Sequence, residues 1–360
     1  MPLLADLGWN DRLTEAFAPH AAAGLVAARI SLEHTHIYRV FTESGEWLAK
    51  VSGRLRHEAG TRAEFPAVGD WVGVDSPVED GIARIRVVLP RASRFSRRAA
   101  GDRTEEQVVA ANIDVVFLVS GLDGDFNPRR IERYLLVASD SGATPVVVLN
   151  KADLVADPAQ YVADVQALSP GAAVHAVSCH DPTSLAILRG HLGRGRTGAL
   201  LGSSGVGKST IVNRLVGFDL LATRDVRIAD SRGRHTSTSR QLVILPGEGI
   251  LIDTPGMREL QLWETGDAAA ATFPDIEQLA AGCRFRDCAH ESEPGCAVVT
   301  AVERGELPGF RLESYRKLRL EQEHQHRQQD QRAQLDDKRR SKAMTRSLTR
   351  RLREKDRPGD

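Results

Sequence analysis

Hydrophobic and polar residues follow a strand-like pattern in the first third of the chain. Short apolar stretches alternate with turn residues there, and no helical period is visible. The stretches predicted to be strands are 30–40, 47–51, 70–74 and 81–88. In the last of these, Ile85 and Val87 fall on one face and Arg86 on the other, as in a half-buried strand. The pattern predicts a small closed β-barrel of the OB type.

From residue 113 onward, apolar strands alternate with amphipathic helices. The predicted strands are 113–120, 145–149, 173–177, 198–201, 241–245 and 249–252, and the predicted helices are 128–140, 159–168 and 208–216. This alternation is typical of an α/β domain whose parallel sheet is covered on both faces. After residue 321 the chain is rich in Gln, Arg and Asp, and it is either a long exposed helix or disordered.

Composition is that of an ordinary soluble protein, with 41% apolar and 27% charged residues among 360. Apolar runs are too short to cross a bilayer and the N-terminus does not resemble a secretion signal, so we expect a cytoplasmic protein that binds no membrane. Formal net charge is zero, yet residues 338–357 carry ten lysines and arginines against two acids. This basic tail is either a binding segment for a polyanion, nucleic acid above all, or a solvated tail.

The barrel region adds a second basic stretch between residues 90 and 98. Its arginines are Arg91, Arg94, Arg97 and Arg98. Five-stranded barrels of this size commonly bind oligonucleotides, so this stretch favours an RNA-binding barrel. A structural barrel with an ordinary charged surface is the alternative.

A phosphate-binding loop is the most specific motif. Residues 202–209 read GSSGVGKS between an apolar strand and a predicted helix. Glycines allow backbone N–H groups to wrap phosphates at a helix N-terminus, while Lys208 reaches the outer phosphates and Ser209 offers a hydroxyl to Mg²⁺. The predicted phosphate-binding residues are Gly202, Ser203, Ser204, Gly205, Val206, Gly207, Lys208, Ser209 and Thr210.

A base-reading loop follows the strand at 145–149. Its residues are Asn150, Lys151, Ala152 and Asp153. Guanine presents two adjacent hydrogen-bond donors, and the carboxylate of Asp153, which only accepts, is suited to both. Adenine does not present such a pair of donors. Asn150 can brace the loop and the stem of Lys151 can cover the base. Ser178, after the next predicted strand, is expected to help close the base pocket.

The sequence DTPG at 253–256 directly follows another strand. Asp253 is placed to hold Mg²⁺ through water. The backbone N–H of Gly256 is placed to sense the terminal phosphate. The preceding loop contains Thr236 and Thr238, either of which can complete the magnesium shell. The motifs therefore predict a GTP or GDP site in which Mg²⁺ accompanies GTP.

The order of these motifs is unusual, because the base-reading loop comes before the phosphate loop. With residues 90–98, 110–114, 150–153, 202–210, 233–238 and 253–257, this order resembles the RsgA (YjeQ) family of small-subunit-dependent GTPases, whose GTPase domain is circularly permuted. The resemblance extends over about residues 30–320. It implies a protein that hydrolyses GTP, binds the small ribosomal subunit and its rRNA, and acts in late subunit maturation. We expect the protein to be a monomer.

The family pattern includes a zinc site, and the cysteine spacing supports it independently. Three of the four cysteines and one histidine fall within residues 283–296. The expected ligands of one structural Zn²⁺ are Cys283, Cys288, His290 and Cys296. Reduced surface cysteines are the alternative, and Cys179 is left over as a free thiol.

These observations predict five parts of the chain. They are an N-terminal extension (1–24), an OB-fold barrel (25–100), a circularly permuted P-loop GTPase domain (101–262), a zinc-binding domain (263–320) and a basic tail (321–360).

Hydrolysis needs a group that orients water. Met257 cannot do so, and we expect His235 in the switch loop to help, with an exposed loop histidine as the alternative. Two further functions stay open at this point: an RNA-binding scaffold with a passive guanine-nucleotide switch, and a GTPase that acts on another RNA.

Overall fold

The structure is a computed structural model in two compact units, comprising residues 1–101 with 105–272, and 102–104 with 273–360. It describes residues 3–34, 37–77, 81–98, 106–124, 126–169, 171–217, 241–245, 249–253, 273–291, 293–309, 311–313, 315–316 and 319. Within these ranges, no helix combines the length and apolar character needed to span a membrane.

Five strands close into a barrel at the start of the first unit. They are β1 (Val26–His34), β2 (Ile37–Thr42), β3 (Gly45–Val51), β4 (Trp71–Val74) and β5 (Ile82–Val88). Their order is β1-β2-β3-β5-β4, and β4 pairs back onto β1. In β5, Ala83 and Ile85 are buried while Arg86 is exposed, so the alternation read from the sequence is confirmed.

Local elements of the barrel differ from the sequence-based prediction in two places. The single strand expected over residues 30–40 is instead a hairpin of β1 and β2, in which Glu33 pairs with Tyr38 and His34 with Ile37. Two helices, α1 (Asp11–Ala22) and α2 (Gly53–Glu58), also flank the strands. The buried residues of α1 are Leu13 and Phe17, and they pack into an apolar cluster with Trp71. This is the narrow apolar stripe expected of a helix that lies on the surface.

A short hairpin connects the barrel to the α/β domain. It consists of β6 (Arg94–Arg98) and β7 (Glu106–Ala111). Before it, the guanidinium of Arg91 donates to Asp70 at 2.7 and 2.8 Å and to the carbonyls of Ala63 and Phe65. Arg91 therefore holds the barrel together and does not belong to an exposed basic surface.

Six strands form the α/β sheet, as the alternating pattern predicts. They are β8 (Val115–Gly121), β9 (Thr144–Asn150), β10 (Ala173–Ala176), β11 (Thr197–Gly202), β12 (Gln241–Leu245) and β13 (Gly249–Asp253). Their order is β10-β9-β8-β11-β13-β12, with β12 antiparallel and the others parallel. The barrel extends this sheet through the pair Leu32 and Gln241.

In the part of the chain that the structure describes, four helices cover the sheet: α3 (Pro128–Ser141), α4 (Pro158–Leu168), α5 (Pro182–His191) and α6 (Lys208–Val216). Helix α3 begins with Pro128 after the capping side chain of Asn127, and it ends at Gly142 with φ 83°. One core cluster between helices and sheet includes Phe117, Val148, Leu188, Ile211 and Leu251. This apolar packing fixes the strands whose ends carry the predicted motifs.

A buried arginine connects the barrel to the α/β sheet. Arg29 of β1 is 1% exposed, and its guanidinium donates to the carbonyls of Leu7, Gly69 and Asn112 and to the hydroxyl of Thr197 in β11. Burial lowers the Arg29 pKa to about 10, which the negative charges of nearby carboxylates partly offset. Arg29 thus stays charged at neutral pH and satisfies three backbone carbonyls and one side-chain hydroxyl, which come from four separate segments.

Two short helices of the second unit are described over their full length, α7 (Pro274–Ala280) and α8 (Ala297–Glu303). Residues 309, 311–313, 315–316 and 319 are also helical. Phe273 is buried just before α7, Ile276 is buried on α7, and Val298 and Ala301 are buried on α8. Arg311 forms an ion pair with Asp275, and its guanidinium lies 4.9 Å from the ring centre of Phe273. The segment between the helices carries the cysteine cluster.

Candidate nucleotide and metal sites

The predicted nucleotide motifs meet at one edge of the α/β sheet. Strands β9, β8, β11 and β13 are consecutive neighbours and run parallel, so their carboxyl ends lie side by side. These ends are Asn150, Gly121, Gly202 and Asp253. The parallel strands therefore bring the base-reading and phosphate loops together, although 52 positions separate the first residues of the two loops. Ligands of open α/β sheets bind at such an edge.

The phosphate loop needs glycine at specific positions. Gly205 and Gly207 have φ values of 80° and 95°, which side chains rarely tolerate. A Cβ at Gly207 would lie 2.3 Å from Asn150 Nδ2, and one at Gly202 would lie 2.3 Å from the carbonyl oxygen of Val119. The loop is therefore closely packed on its sheet side, and it leads directly into α6 at Lys208.

The loop residues differ in exposure in a way that suits phosphate binding. Ser204 and Gly205 are exposed, Val206 is buried, and Ser209 and Thr210 are half-buried in the first turn of α6. The ammonium of Lys208 donates to the carbonyl oxygens of Gly202 and Ser203, at 2.7 and 2.5 Å. The lysine charge thus lies at the loop itself, beside the N-terminus of a helix.

Asn150 links the base-reading loop to the phosphate loop. It is 2% exposed, and its side-chain Nδ2 donates to the carbonyl oxygen of Val206 at 2.8 Å. The thiol of Cys179 donates to Asn150 Oδ1 at 3.5 Å, and burial raises the pKa of this thiol. The two loops and the segment after β10 are therefore held in one hydrogen-bonded arrangement.

Asp153 presents an exposed carboxylate beside this arrangement. The Ser178 hydroxyl donates to Asp153 Oδ1, and this bond is the main reason that the pKa of Asp153 is lowered. Ser178 Oγ also accepts from the backbone N–H of His180 at 3.1 Å. The Ser178 hydroxyl thus fixes the orientation of the charged Asp153 carboxylate, which stays accessible to a ligand. Selection of guanine requires such an acceptor.

Two charged residues at this site were missed by the sequence analysis. Asp123 forms an ion pair with Lys151, whose backbone is left-handed with φ 64°. Arg130, in the first turn of α3, donates to the hydroxyl of Ser203 in the phosphate loop. Asp123 lies two residues beyond β8, so its position after a strand of the same edge is the signal that could have found it.

Asp253 ends β13 beside β11, so the backbone places it next to the phosphate loop. His235, Thr236, Thr238 and Gly256, together with Met257, lie outside the described residues. The choice between the two threonines and the role of His235 therefore stay predictions.

The cysteine cluster is assembled in the second unit. One ligand atom from each of Cys283, Cys288, His290 and Cys296 lies within 4.8 Å of the others. The sulfurs of Cys283 and Cys296 are 3.9 Å apart, and each lies 3.4 to 3.5 Å from His290 Nδ1. A tetrahedral zinc ion with bonds of about 2.3 Å to sulfur and about 2.0 Å to nitrogen requires separations of roughly 3.5 to 3.8 Å, so the donor set fits.

The surroundings of the cluster hold its ligands in place. His290 has a φ of 58°, and its carbonyl accepts from Arg316, while the carbonyl of Cys288 accepts from Arg319 at 3.2 Å. Cys296 Sγ accepts the backbone N–H of Val299 at the start of α8. Burial raises the pKa of Cys288 to about 11, so this thiol needs a strong positive charge nearby to ionise at neutral pH.

Comparison with known proteins agrees with the motifs. Residues 88–263 match the family model described as RsgA GTPase. A protein of *Opitutus terrae* named "Small ribosomal subunit biogenesis GTPase RsgA" is 49% identical over 91% of this chain and 92% of its own length. Its namesake from *Syntrophotalea carbinolica* is 41% identical, over 95% of this chain and 96% of its own length.

Two solved structures share the fold. YjeQ from *Thermotoga maritima* is 26% identical with a TM-score of 0.61, over 82% of this chain and 98% of that one. YloQ, described as a circularly permuted GTPase, is 25% identical with a TM-score of 0.58, over 82% of this chain and 94% of that one. The motif order, the strand order and these similarities agree: the chain belongs to the RsgA family of circularly permuted GTPases.

Proposed function

We propose that this protein binds GTP at the carboxyl edge of its α/β sheet, hydrolyses it, and acts on the small ribosomal subunit during late maturation. The observation that carries the nucleotide assignment is the bond from Asn150 Nδ2 to the Val206 carbonyl, because it joins the base-reading loop to the phosphate loop. The names of the relatives in *O. terrae* and *S. carbinolica* support the ribosomal part.

Within this proposal each loop has its own role. Asp153 accepts the two adjacent donors of guanine, and Ser178 directs the carboxylate toward them. Backbone N–H groups of residues 202–207 surround the phosphates, and Lys208 exchanges its loop carbonyls for phosphate oxygens. Base and phosphates are thus recognised by two loops of fixed relative position.

Hydrolysis requires groups at the phosphate end of the site. Ser209, Asp253 and either Thr236 or Thr238 would hold Mg²⁺, which neutralises charge on the phosphates when it is bound. The backbone N–H of Gly256 would sense the terminal phosphate, and His235 would orient water. His235→Ala should leave GTP affinity unchanged and lower turnover on the small subunit; unchanged turnover would remove His235 from the mechanism.

The cysteine cluster is proposed to hold one structural zinc ion. Four protein donors leave no open coordination position, so the ion would supply folding energy and take no part in hydrolysis. The predicted domain boundaries near residues 100, 262 and 320, and the expectation of a cytoplasmic monomer, stay predictions.

Nucleotide-dependent binding to RNA tests the ribosomal part. Loops ordered by the terminal phosphate can change how flanking domains meet a partner, and binding linkage is reciprocal. Affinity for purified small subunits should be higher with a non-hydrolysable GTP analogue than with GDP at fixed salt. Equal affinities would rule out the switch.

The same measurement on a chain ended at Glu321 tests the basic tail. Binding to the small subunit should be weaker and less dependent on salt, and unchanged affinity would exclude the basic tail from subunit binding.

A further inference from the structure

A helix outside the phosphate loop contributes a cation to it. Helix α3 begins at Pro128, and the side chain of Asn127 accepts the backbone N–H of Arg130 at 3.3 Å. The Arg130 guanidinium then donates to the hydroxyl of Ser203, the second residue of the loop. The cap and the proline fix the start of the helix, so they also fix the direction in which Arg130 leaves it.

The rest of α3 keeps Arg130 in place. Ile131, Leu135 and Ala138 are buried against the sheet, at 1%, 6% and 0% exposure. They follow the helical spacing of one face, and Arg130 itself is half-buried at the edge of that face. The guanidinium is therefore presented to the loop by a packed helix and not by a mobile surface segment.

Two positive charges converge on Ser203. Its carbonyl oxygen accepts from Lys208 Nζ at 2.5 Å, and its hydroxyl accepts from Arg130. The acidic side chain of Asp123, which follows β8 at the same sheet edge, is in an ion pair with Lys151. Half-buried cations beside a loop that leads into a helix N-terminus produce a local positive potential, for which polyphosphate is the complementary ligand.

We propose that Arg130 is a positioning residue of the nucleotide site. It fixes the Ser203 side chain, so that the first turn of the loop is held in the shape that wraps phosphates, and it adds positive charge beside them. This inference rests on the proposed GTP-binding function. It predicts an effect on the phosphates common to GDP and GTP and no effect on the recognition of guanine.

The test measures the affinity of zinc-loaded, full-length protein for fluorescent GDP and for a non-hydrolysable GTP analogue. Arg130→Ala should weaken both by about tenfold, the effect of one hydrogen bond to a charged group, and Arg130→Lys should recover part of the loss. Arg129→Ala, which removes the same charge from the exposed neighbouring position, should bind like the wild type. The preference for GTP over ATP and the midpoint of unfolding without nucleotide should not change.

A double-mutant cycle separates the bond from a general charge effect. If Arg130 acts through Ser203, the variant with both Arg130→Ala and Ser203→Ala should bind no more weakly than Arg130→Ala alone. Equal losses for Arg129→Ala and Arg130→Ala, or unchanged affinity of Arg130→Ala, would overturn the inference. If Arg130→Ala does not fold, unchanged affinity of Ser203→Ala overturns it in the same way. Wild-type protein that binds no guanine nucleotide would instead contradict the proposed function itself.

Discussion

The α/β sheet and the cysteine segment bring functional residues together in opposite ways. In the sheet, apolar residues such as Phe117, Val148 and Leu251 build a core, and the nucleotide loops follow at the ends of its strands. In residues 273–319, α7 and α8 have seven residues each, and Cys288, His290 and Cys296 are themselves among the buried residues. Chemistry is thus added to a fold that is stable without it in the first case, whereas in the second the ligand set is a large part of the fold.

Zinc removal should show the largest difference between the two regions. Structural zinc sites supply about 10 kcal/mol or more of apparent folding free energy, so Cys288→Ala or chelation should unfold the cysteine segment and leave GTP binding intact. Hydrogen exchange measures unfolding of the cysteine segment, elemental analysis measures the zinc content, and nucleotide titration measures GTP affinity. Cys179→Ala, at the cysteine outside the cluster, should retain one zinc per chain. Purified, unchelated protein without zinc would contradict the assignment.

Arg29→Met should destabilise the first unit and leave the cysteine segment folded, which is the reverse of zinc removal. Removing this charge leaves carbonyls of Leu7, Gly69 and Asn112 buried without their donor, so we expect the free energy of unfolding of the first unit to fall by about 3–5 kcal/mol. Zinc content should not change. Urea unfolding measures the loss. The matched control is Arg39→Met, whose exposed ion pair with Glu46 at 3.1 Å should cost less than about 1 kcal/mol; similar losses for both variants would refute the role of Arg29.

Asp153→Asn should alter recognition without altering the stability of either region. The carboxylate is exposed, so the fold does not depend on it. Loss of charged hydrogen bonds to guanine should weaken GTP binding by roughly a hundredfold. Because an amide also donates, the variant should gain affinity for xanthosine triphosphate, which presents a carbonyl at the corresponding position. ATP that competes equally with GTP for the wild type would show that the base-reading assignment is wrong.

The smallest predicted effect is a pH dependence of stability in the first unit, where a histidine of β10 meets one of α5. His175 and His191 are half-buried with their Nε2 atoms 2.8 Å apart, and burial lowers the pKa of both below the ordinary value of 6.5. The unfolded chain therefore binds protons more readily, so stability should fall as the pH drops below about 6.5. His175→Gln should reduce this loss, by less than about 1 kcal/mol since both rings are partly exposed. Urea midpoints at pH 7.5 and 5.5 give the comparison.

Local patterns were sufficient to predict most of the sheet and its motifs. The phosphate loop, Asn150 and Asp153 follow apolar strands, and parallel strands end at one edge, so their proximity could be inferred from sequence. The cysteine spacing likewise predicted a cluster that the structure assembles. In each case the signal lies within a few residues of a recognisable element.

The remaining features depend on contacts between distant segments. Arg29 finds its partners near residues 7, 69, 112 and 197, and the apolar residues next to it in the sequence do not indicate which groups a buried arginine would bond. Arg91 reads as part of a basic stretch, yet its partner Asp70 lies in another part of the chain. The hairpin of β1 and β2 was read as one strand because residues 30–40 contain no Gly, Pro, Asn or Asp to mark a turn. Tertiary packing decides these cases, and local propensity does not.

GTP turnover with and without ribosomal subunits tests the central claim most directly. Zinc-loaded, full-length protein should hydrolyse GTP slowly alone, since Met257 cannot orient water. Purified small subunits should accelerate it severalfold or more, while large subunits and substitution of ATP for GTP should not. Turnover that small subunits leave unchanged would contradict the account and favour a passive nucleotide switch on an RNA-binding scaffold.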